Sequence, residues 1–146
     1  MERLAKRVQD LVIYKLAFET AMEIFEITKS FPSEEKYSLT DQIRRSSRSV
    51  CTNLAEGWRK RKYKAVFVNK RLDAAQEAAE TQTWLEFSDR CNYFAFVVFE
   101  ELYERYEHIF AMLKTWKRNL ENSVNVQRPS VANVLRPTVN RGRYND

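Results

Sequence analysis

Apolar residues recur at helical spacing along most of this chain, and the pattern predicts four helices. Their expected ranges are residues 10–30, 33–57, 63–90 and 95–121. Pro32 should end the first helix, because the residue before a proline disfavours the α conformation. Ser33 is the expected N-cap of the second helix, and Gly57 is its expected C-terminal signal. Four helices joined by short loops predict an all-α, antiparallel up-down bundle.

The first and fourth predicted helices have the most regular apolar positions. In the first, Leu11, Phe18 and Phe25 recur every seven residues, with Tyr14, Ala21 and Thr28 between them, and this seam is expected to face the core. The fourth has the clearest core stripe: Leu102, Tyr106, Ile109, Leu113, Trp116 and Leu120. A second apolar set widens this stripe: Phe99, Tyr103 and Phe110. Apolar surface left over on a bundle helix usually contacts another subunit, so these three residues are the predicted oligomer interface.

The second predicted helix contains many small residues, among them Ser46, Ser47 and Ala55, and should pack most tightly against its neighbours. Asn53 and Glu56 are interpreted as structural residues at such a contact rather than as catalytic groups. The third helix is rich in alanine and carries more polar residues than one solvent face requires. Some of its acidic residues are expected to meet the arginines of the second helix.

The composition changes after Asn122 and contains a repeat at a spacing of eight residues. Each unit carries one arginine followed by proline: Arg128 and Pro129, then Arg136 and Pro137. We therefore divide the chain into a bundle over residues 1–122 and a basic Arg-Pro tail over residues 123–146. The tail is expected to become ordered only on a partner or a neighbouring subunit.

Positive charge is concentrated in one part of the chain. Residues 40–71 hold ten basic and two acidic side chains, whereas residues 72–110 hold two basic and nine acidic ones. The ten basic residues form the predicted nucleic-acid-binding surface: Arg44, Arg45, Arg48, Arg59, Lys60, Arg61, Lys62, Lys64, Lys70 and Arg71. With Trp58 and Tyr63 among them, they suit phosphates and stacked bases. The alternative is a solvated face, partly neutralised by the acids of the third helix.

The sequence argues against enzymatic, metal and membrane roles. Its two glycines leave little room for phosphate-cradling loops, and no Gly-x-Ser-x-Gly motif or Cys/His pair is present. A di-iron bundle needs Glu-x-x-His on two helices, but the chain has one histidine, His108, and position 105 is Arg105. No metal or cofactor is expected. The longest apolar run has six residues, and Cys51 and Cys91 read as packed thiols, so we expect a cytoplasmic protein.

Three motifs in order resemble the four-helix-bundle family, also called the 23S rRNA intervening-sequence protein family. They are Asp41-Gln42-Ile43-Arg44-Arg45-Ser46 leading to Asn53-Leu54-Ala55-Glu56-Gly57, then Phe67-Val68-Asn69-Lys70-Arg71-Leu72, then Ala79-Glu80-Thr81-Gln82-Thr83-Trp84-Leu85. The resemblance covers about residues 8–120. It implies antiparallel bundles assembled into closed rings, often pentamers, without enzymatic activity. The family is similar in architecture to the accessory protein of diversity-generating retroelements, a basic pentameric barrel that binds the reverse transcriptase and its RNA. Asn92 departs from the family pattern, which has a small residue or glycine there, so that turn should lack easy access to positive φ.

These observations favour a non-enzymatic basic adaptor, a homo-oligomer and most simply a pentamer. It would bind RNA or DNA backbone through the second helix and the following loop. The resemblance extends this role to the accessory subunit of a reverse transcriptase–RNA complex. The alternative is a protein–protein interaction scaffold without nucleic-acid binding, which recognises its partner through the acidic third and fourth helices. A scaffold should show no affinity for polyanions at ~150 mM salt, where phosphate contacts still contribute to binding.

Overall fold

The computed structural model describes residues 5–118, and these form four α-helices without a β-strand. The helices are α1 (Val12–Thr28), α2 (Leu39–Arg59), α3 (Lys64–Arg90) and α4 (Phe96–Thr115). Two short 3₁₀ turns, Val8–Asp10 and Ser33–Glu35, precede α1 and α2. The predicted all-α class with four helices is therefore confirmed.

The start of α2 differs from the prediction. Ser33 does not cap it, because residues 33–35 close into a 3₁₀ turn in which the Lys36 amide donates to the Ser33 carbonyl (3.1 Å). The helix begins six residues later, after Ser38. The Ser38 hydroxyl donates to the Glu35 carboxylate (2.6 Å), so this side chain satisfies an acid of the preceding turn rather than a helix amide.

Gly57 was predicted to end α2, and this prediction is wrong. The residue lies inside the helix, which continues to Arg59. Its φ is not positive. The glycine instead permits a close helix contact: a Cβ at this position would lie 3.0 Å from the Lys70 Cβ and 3.4 Å from the Trp116 ring. The residue therefore serves packing, not termination.

The turn between α3 and α4 does adopt a positive φ, contrary to the expectation. Asn92 has φ of 60°, and the Tyr93 amide donates to the Ser88 carbonyl (3.0 Å) across it. Asparagine enters the left-handed region more readily than most residues, so glycine is not required here.

The predicted seam of α1 is only partly buried. Leu11 is fully buried, but it lies just before α1 and its backbone is extended. Its burial therefore does not follow from the helical spacing. Phe18 is 47% exposed and Phe25 is half-buried. Ala21 and Thr28 of the predicted seam are buried as expected. The full set of buried positions in α1 is Val12, Ile13, Leu16, Ala17, Thr20, Ala21, Glu23, Ile24, Ile27 and Thr28. At about 100° of rotation per residue, Phe18 and Phe25 share one face that lies more than about 100° from the middle of the buried face, so the seven-residue spacing selected the wrong face for these two residues.

The core stripe of α4 is confirmed within the described residues. Five predicted positions are buried: Leu102, Tyr106, Ile109, Leu113 and Trp116. The helix ends at Thr115 rather than at residue 121, because the backbone of Trp116 is extended and its indole enters the core. The sixth position, Leu120, lies outside the described residues.

The α2 helix makes its most extensive contacts with α3. The Thr81 hydroxyl donates to Ser46 Oγ (2.8 Å) inside this interface, where Ala74 and Ala78 are also buried. At the far end of the same interface, Lys70 pairs with Glu56 (2.7 Å). The end of each helix thus meets the start of the other. Because α3 also packs on α4, and both α4 and α2 pack on α1, the four helices surround one core.

Candidate nucleic-acid interface

The ten predicted basic residues do not form one surface, because several are held by other helices. Arg44 is half-buried: its Nε donates to Thr28 Oγ1 (2.8 Å) and its Nη2 to the Phe25 carbonyl (3.3 Å). Its guanidinium also lies 4.7 Å from the centre of the Phe25 ring. Arg44 therefore joins α2 to the end of α1, and little of its guanidinium is left for a ligand.

Acidic residues of α3 engage another member of the set, as expected from the sequence. Arg45 pairs with Glu77 (3.3 Å) and with Glu80. This result matches the alternative in which part of the basic block is neutralised by α3. Arg48 differs, since it is exposed and forms no ion pair within the described residues, with its guanidinium 5.6 Å from the Phe25 ring.

Two basic residues about two turns into α3, Lys70 and Arg71, are also engaged. Lys70 pairs with Glu56, whose side chain is exposed rather than buried at a tight contact as the sequence suggested. Arg71 Nη1 donates to the Trp116 carbonyl (3.0 Å) and so fixes the end of α4. Asn53, the companion of Glu56 in that prediction, donates to the Ser49 carbonyl one turn earlier (2.9 Å).

Five cations remain at the turn from α2 to α3, and none forms an ion pair within residues 5–118: Arg59, Lys60, Arg61, Lys62 and Lys64. All but Arg61 are exposed. The turn is fixed by its own backbone, since the Tyr63 amide donates to the Lys60 carbonyl (2.9 Å). Its charges are therefore concentrated on a short, ordered segment.

Aromatic side chains support this turn from below. Trp58 is buried and stacks on Trp116 with ring centres 6.3 Å apart, and Phe67 lies 4.6 Å from the same Trp116 ring. Arg61 covers the outer face of Trp58 at 4.1 Å and donates to its carbonyl (2.9 Å). Trp58 is thus unavailable for base stacking, whereas Tyr63 is 56% exposed.

Cations from both ends of the described chain join the turn, which the sequence reasoning did not predict. The Trp58 indole donates to the Lys6 carbonyl (3.4 Å), and Arg118 donates to the carbonyls of Arg61 and Lys62 (3.3 Å each). We define the basic end as nine residues: Lys6, Arg7, Arg59, Lys60, Arg61, Lys62, Lys64, Lys117 and Arg118. The neighbouring acid Asp10 pairs with Arg7 (3.6 Å). The sequence signal was the positive charge after residue 110, but its position next to the turn depends on the fold.

A second basic surface lies at the other end of α2. A depression of about 630 Å³ is lined by Lys36, Tyr37, Thr40, Asp41, Arg44, Arg45, Arg48, Ser49 and Thr52. Because Arg44 and Arg45 have partners and Asp41 adds negative charge, this surface is less suited to phosphate than the basic end.

The predicted oligomer interface is partly buried within the chain itself. Phe99 and Phe110 pack against the core, and the Tyr103 carbonyl accepts a hydrogen bond from Gln82 (3.3 Å). More apolar surface is presented earlier on α4, where Phe96 is 60% exposed and Val97 is exposed as well. The tail residues Arg128, Pro129, Arg136 and Pro137 lie outside the described residues.

The described residues contain no cluster of three or more His, Cys, Asp or Glu side chains suited to a metal ion. His108 Nε2 lies 3.4 Å from the Glu104 carboxylate at the surface of α4. Cys51 is buried, as predicted, but Cys91 is exposed and is not the packed thiol that the sequence suggested. Within the same residues, every helix is too short or too polar to cross a bilayer.

Comparison with known proteins gives a family and a related fold. The family model described as 23S rRNA-intervening sequence protein matches residues 9–115. Among solved structures, a protein of unknown function from the S23 ribosomal protein family of Bacteroides thetaiotaomicron is 30% identical, with a TM-score of 0.66. The match covers 73% of this chain and 96% of that chain. No curated protein matches.

Proposed function

We propose a nucleic-acid-binding function for this chain, which belongs to the 23S rRNA-intervening sequence protein family. It is a non-enzymatic adaptor that contacts the backbone of RNA through the basic end. The observation that carries this proposal is the group of five cations at the α2–α3 turn that have no ion pair within the described residues. Within residues 5–118 these cations have no carboxylate partner to lose when they bind phosphate, although Arg61 would also have to leave the Trp58 ring and carbonyl.

The chemistry of the basic end favours backbone contact over base reading. Lysine and arginine side chains on a short turn neutralise phosphates and release counterions, which gives affinity without sequence preference. The exposed Tyr63 ring adds a flat surface on which an unpaired base can stack. The arrangement therefore suits single-stranded segments, and the RNA-related family supports RNA as the first nucleic acid to test.

The proposal includes assembly of up-down bundles into a closed ring, most simply a pentamer. The exposed Phe96 and Val97 at the start of α4 provide apolar surface for a subunit contact. Five copies at a net charge of +5 would carry +25 and repeat the basic end around the ring. The ring would have a mass near five times 17.4 kDa, which light scattering measures. The motif resemblance supports a further role as the accessory subunit of a reverse transcriptase–RNA complex. Co-purification of this protein with a reverse transcriptase and its RNA tests that role.

The direct test measures binding of a fluorescent single-stranded RNA by anisotropy across a salt series. If five phosphates are contacted, log affinity should fall against log salt with a slope of about −3.5, since each single-strand contact contributes about −0.7. The test variant replaces Arg59, Lys60 and Lys62 with serine and should reduce the slope to about −1.4. A control variant removes the same charge at the opposite end of the molecule by replacing Lys29, Lys36 and Arg90 with serine.

Equal losses in the two variants would mean that net charge alone attracts the RNA, and the assigned surface would be wrong. Affinity independent of salt would exclude phosphate contacts altogether. No measurable RNA binding would favour the protein–protein scaffold instead. That second candidate is favoured by one observation, the exposed aromatic surface where α3 meets α4.

A further inference from the structure

A groove lies between the end of α3 and the start of α4, away from the basic end. Its volume is about 540 Å³, and its lining consists of Glu86, Phe87, Asp89, Arg90 and Phe99. The basic end includes Lys64 at the start of α3 and Lys117 and Arg118 after the end of α4. With about 1.5 Å of rise per residue, the step of 22 residues along α3 from Lys64 to Glu86 separates the two sites by roughly 33 Å along this helix. The α3–α4 groove is therefore a separate surface.

Two aromatic rings, Phe87 and Phe99, line the α3–α4 groove beside three charged side chains, and each ring has aromatic neighbours. Phe87 is 54% exposed, and its ring lies 5.8 Å from that of Trp84. On the opposite wall, Phe99 lies 5.8 Å from Phe96 and 5.4 Å from Tyr103. An exposed aromatic cluster of this kind is typical of a docking site rather than of a solvated helix face.

The charge around the groove is mainly negative. Residues 72–110 hold nine acidic side chains against Arg90 and Arg105, and Arg105 is buried in an ion pair with Glu23. Burial chiefly, and the negative charges of Glu86 and Glu107 to a smaller extent, raise the pKa of Tyr103. The fitting occupant therefore combines apolar rings with positive charge.

The tail of this chain has that chemistry. Residues 119–146 contain four arginines against Glu121 and Asp146, and two of the arginines directly precede proline. Valines lie on both sides of each Arg-Pro pair. Proline-fixed extended segments dock on aromatic-lined grooves at low entropic cost, and an adjacent acid can pair with the arginine.

The length of chain outside the described residues permits the contact within one molecule. The α3–α4 groove lies about 26 Å from the end of the bundle, since 17 residues of α4 and its end separate Phe99 from Trp116. Ten residues separate Arg118 from Arg128, and an extended chain of that length spans about 33 Å. The second unit at Arg136 reaches further. A tethered segment of this length also has an effective concentration near the millimolar range.

We infer that the Arg-Pro tail docks in the α3–α4 groove of its own chain. The proline ring of one unit packs against Phe87 and Phe99, and its arginine pairs with Glu86 or Asp89. The two units present the same chemistry, so either one occupies the groove at a time. This inference does not depend on RNA binding at the basic end, since none of its residues belongs to that surface.

The test is pulsed hydrogen exchange of the full-length protein, read by mass spectrometry on peptides covering residues 124–140. Docking should slow exchange of these amides about tenfold relative to a free chain, because docked amides exchange only after local release. Phe87→Ser should abolish the protection. Phe18→Ser removes a phenylalanine of similar exposure (47%) from α1 and should leave the protection intact. A tail that is unprotected in the unaltered protein, or protected equally in both variants, would overturn the inference.

Charge reversal gives an independent readout. Glu86→Lys should remove the protection, and Glu86→Lys combined with Arg128→Glu and Arg136→Glu should restore it. Failure of the triple variant to recover would refute the arginine–carboxylate pairing. Intramolecular docking also predicts that protection is unchanged by a dilution of about a hundredfold, since effective concentration does not depend on bulk concentration. Protection lost on dilution would place the tail on a second copy and contradict the inference.

Discussion

Arg105 of α4 and Glu23 of α1 form an ion pair inside the helical core, where they are 1% and 5% exposed. Burial raises the pKa of the Glu23 carboxyl, and the Arg105 charge opposes that shift. In the sequence, Arg105 appeared only as the residue that breaks a di-iron pattern. The structure instead gives it a partner 82 residues earlier in the chain.

Breaking this pair should be costly, whereas replacing both partners should not be. Glu23→Gln leaves the arginine charge buried and should lower the free energy of unfolding by about 3–5 kcal/mol. Glu23→Met combined with Arg105→Met should be neutral or stabilising, since no charge is then desolvated. Urea denaturation measures both. Glu26→Gln, in an exposed pair with Lys29, is the control and should change stability by less than about 1 kcal/mol. Equal effects of Glu23→Gln and Glu26→Gln would contradict the structural assignment.

Gly57→Ala should destabilise the protein although alanine favours a helix. Alanine gains about 1 kcal/mol of helix propensity, but its methyl group would lie 3.0 Å from the Lys70 Cβ, which cannot rotate away from the backbone. Overpacking typically costs about 1–3 kcal/mol, so a net loss near 1 kcal/mol is expected. Thermal unfolding of Gly57→Ala beside Thr52→Ala, an exposed position of α2, provides the comparison. A rise in stability for Gly57→Ala would show that α3 moves aside.

The two cysteines should differ sharply in reactivity. Burial raises the pKa of the Cys51 thiol to about 12, so it presents almost no thiolate near neutral pH, whereas Cys91 is exposed. A thiol reagent at pH 8 should therefore modify Cys91 quickly and Cys51 only after unfolding. Titration before and after denaturation, repeated with Cys91→Ser, identifies each thiol. Rapid modification of native Cys91→Ser would mean that Cys51 is accessible.

The contact of Tyr93 with Glu35 should make stability depend on acid pH. Hydrogen bonds donated by the Ser38 hydroxyl (2.6 Å) and the Tyr93 hydroxyl (2.8 Å) lower the pKa of Glu35 below its usual 4.5. The unfolded chain then takes up the proton first as pH falls. The stabilisation is thus complete above about pH 4.5 and is lost as pH falls through the lower folded value. Tyr93→Phe should be less stable than the unaltered protein at pH 7, with a smaller difference in strong acid.

The control for that experiment is Tyr37→Phe, because Tyr37 is exposed and does not contact Glu35 through any described hydrogen bond. NMR titration of the Glu35 carboxyl gives the second measurement, and Tyr93→Phe should raise its pKa toward 4.5. A Glu35 pKa that does not move in Tyr93→Phe would remove the hydroxyl as a cause.

The local spacing of apolar residues was enough to predict the four helices and part of the core. Leu102, Tyr106 and Ile109 are buried as predicted, because several turns of regular spacing leave one possible inward face. The same reasoning failed for Phe18, which shares a face with Phe25 that lies well away from the buried face of α1. The reasoning also failed at Ser33 and Gly57, because residue types that often cap helices occur in other places too. Ser33 lies in a 3₁₀ turn, and Gly57 lies at a close contact between helices.

The sequence by itself therefore determined the all-α class, the number of helices, the family and the overall segregation of charge. Only the tertiary structure decided which charges remain available. Arg44, Arg45 and Lys70 look the same in sequence as Arg59, Lys60 and Lys62, but Thr28, Glu77 and Glu56 occupy the first three. The physical reason is range: helical periodicity is set by neighbours within two turns, whereas ion pairing and burial depend on side chains brought together from distant helices.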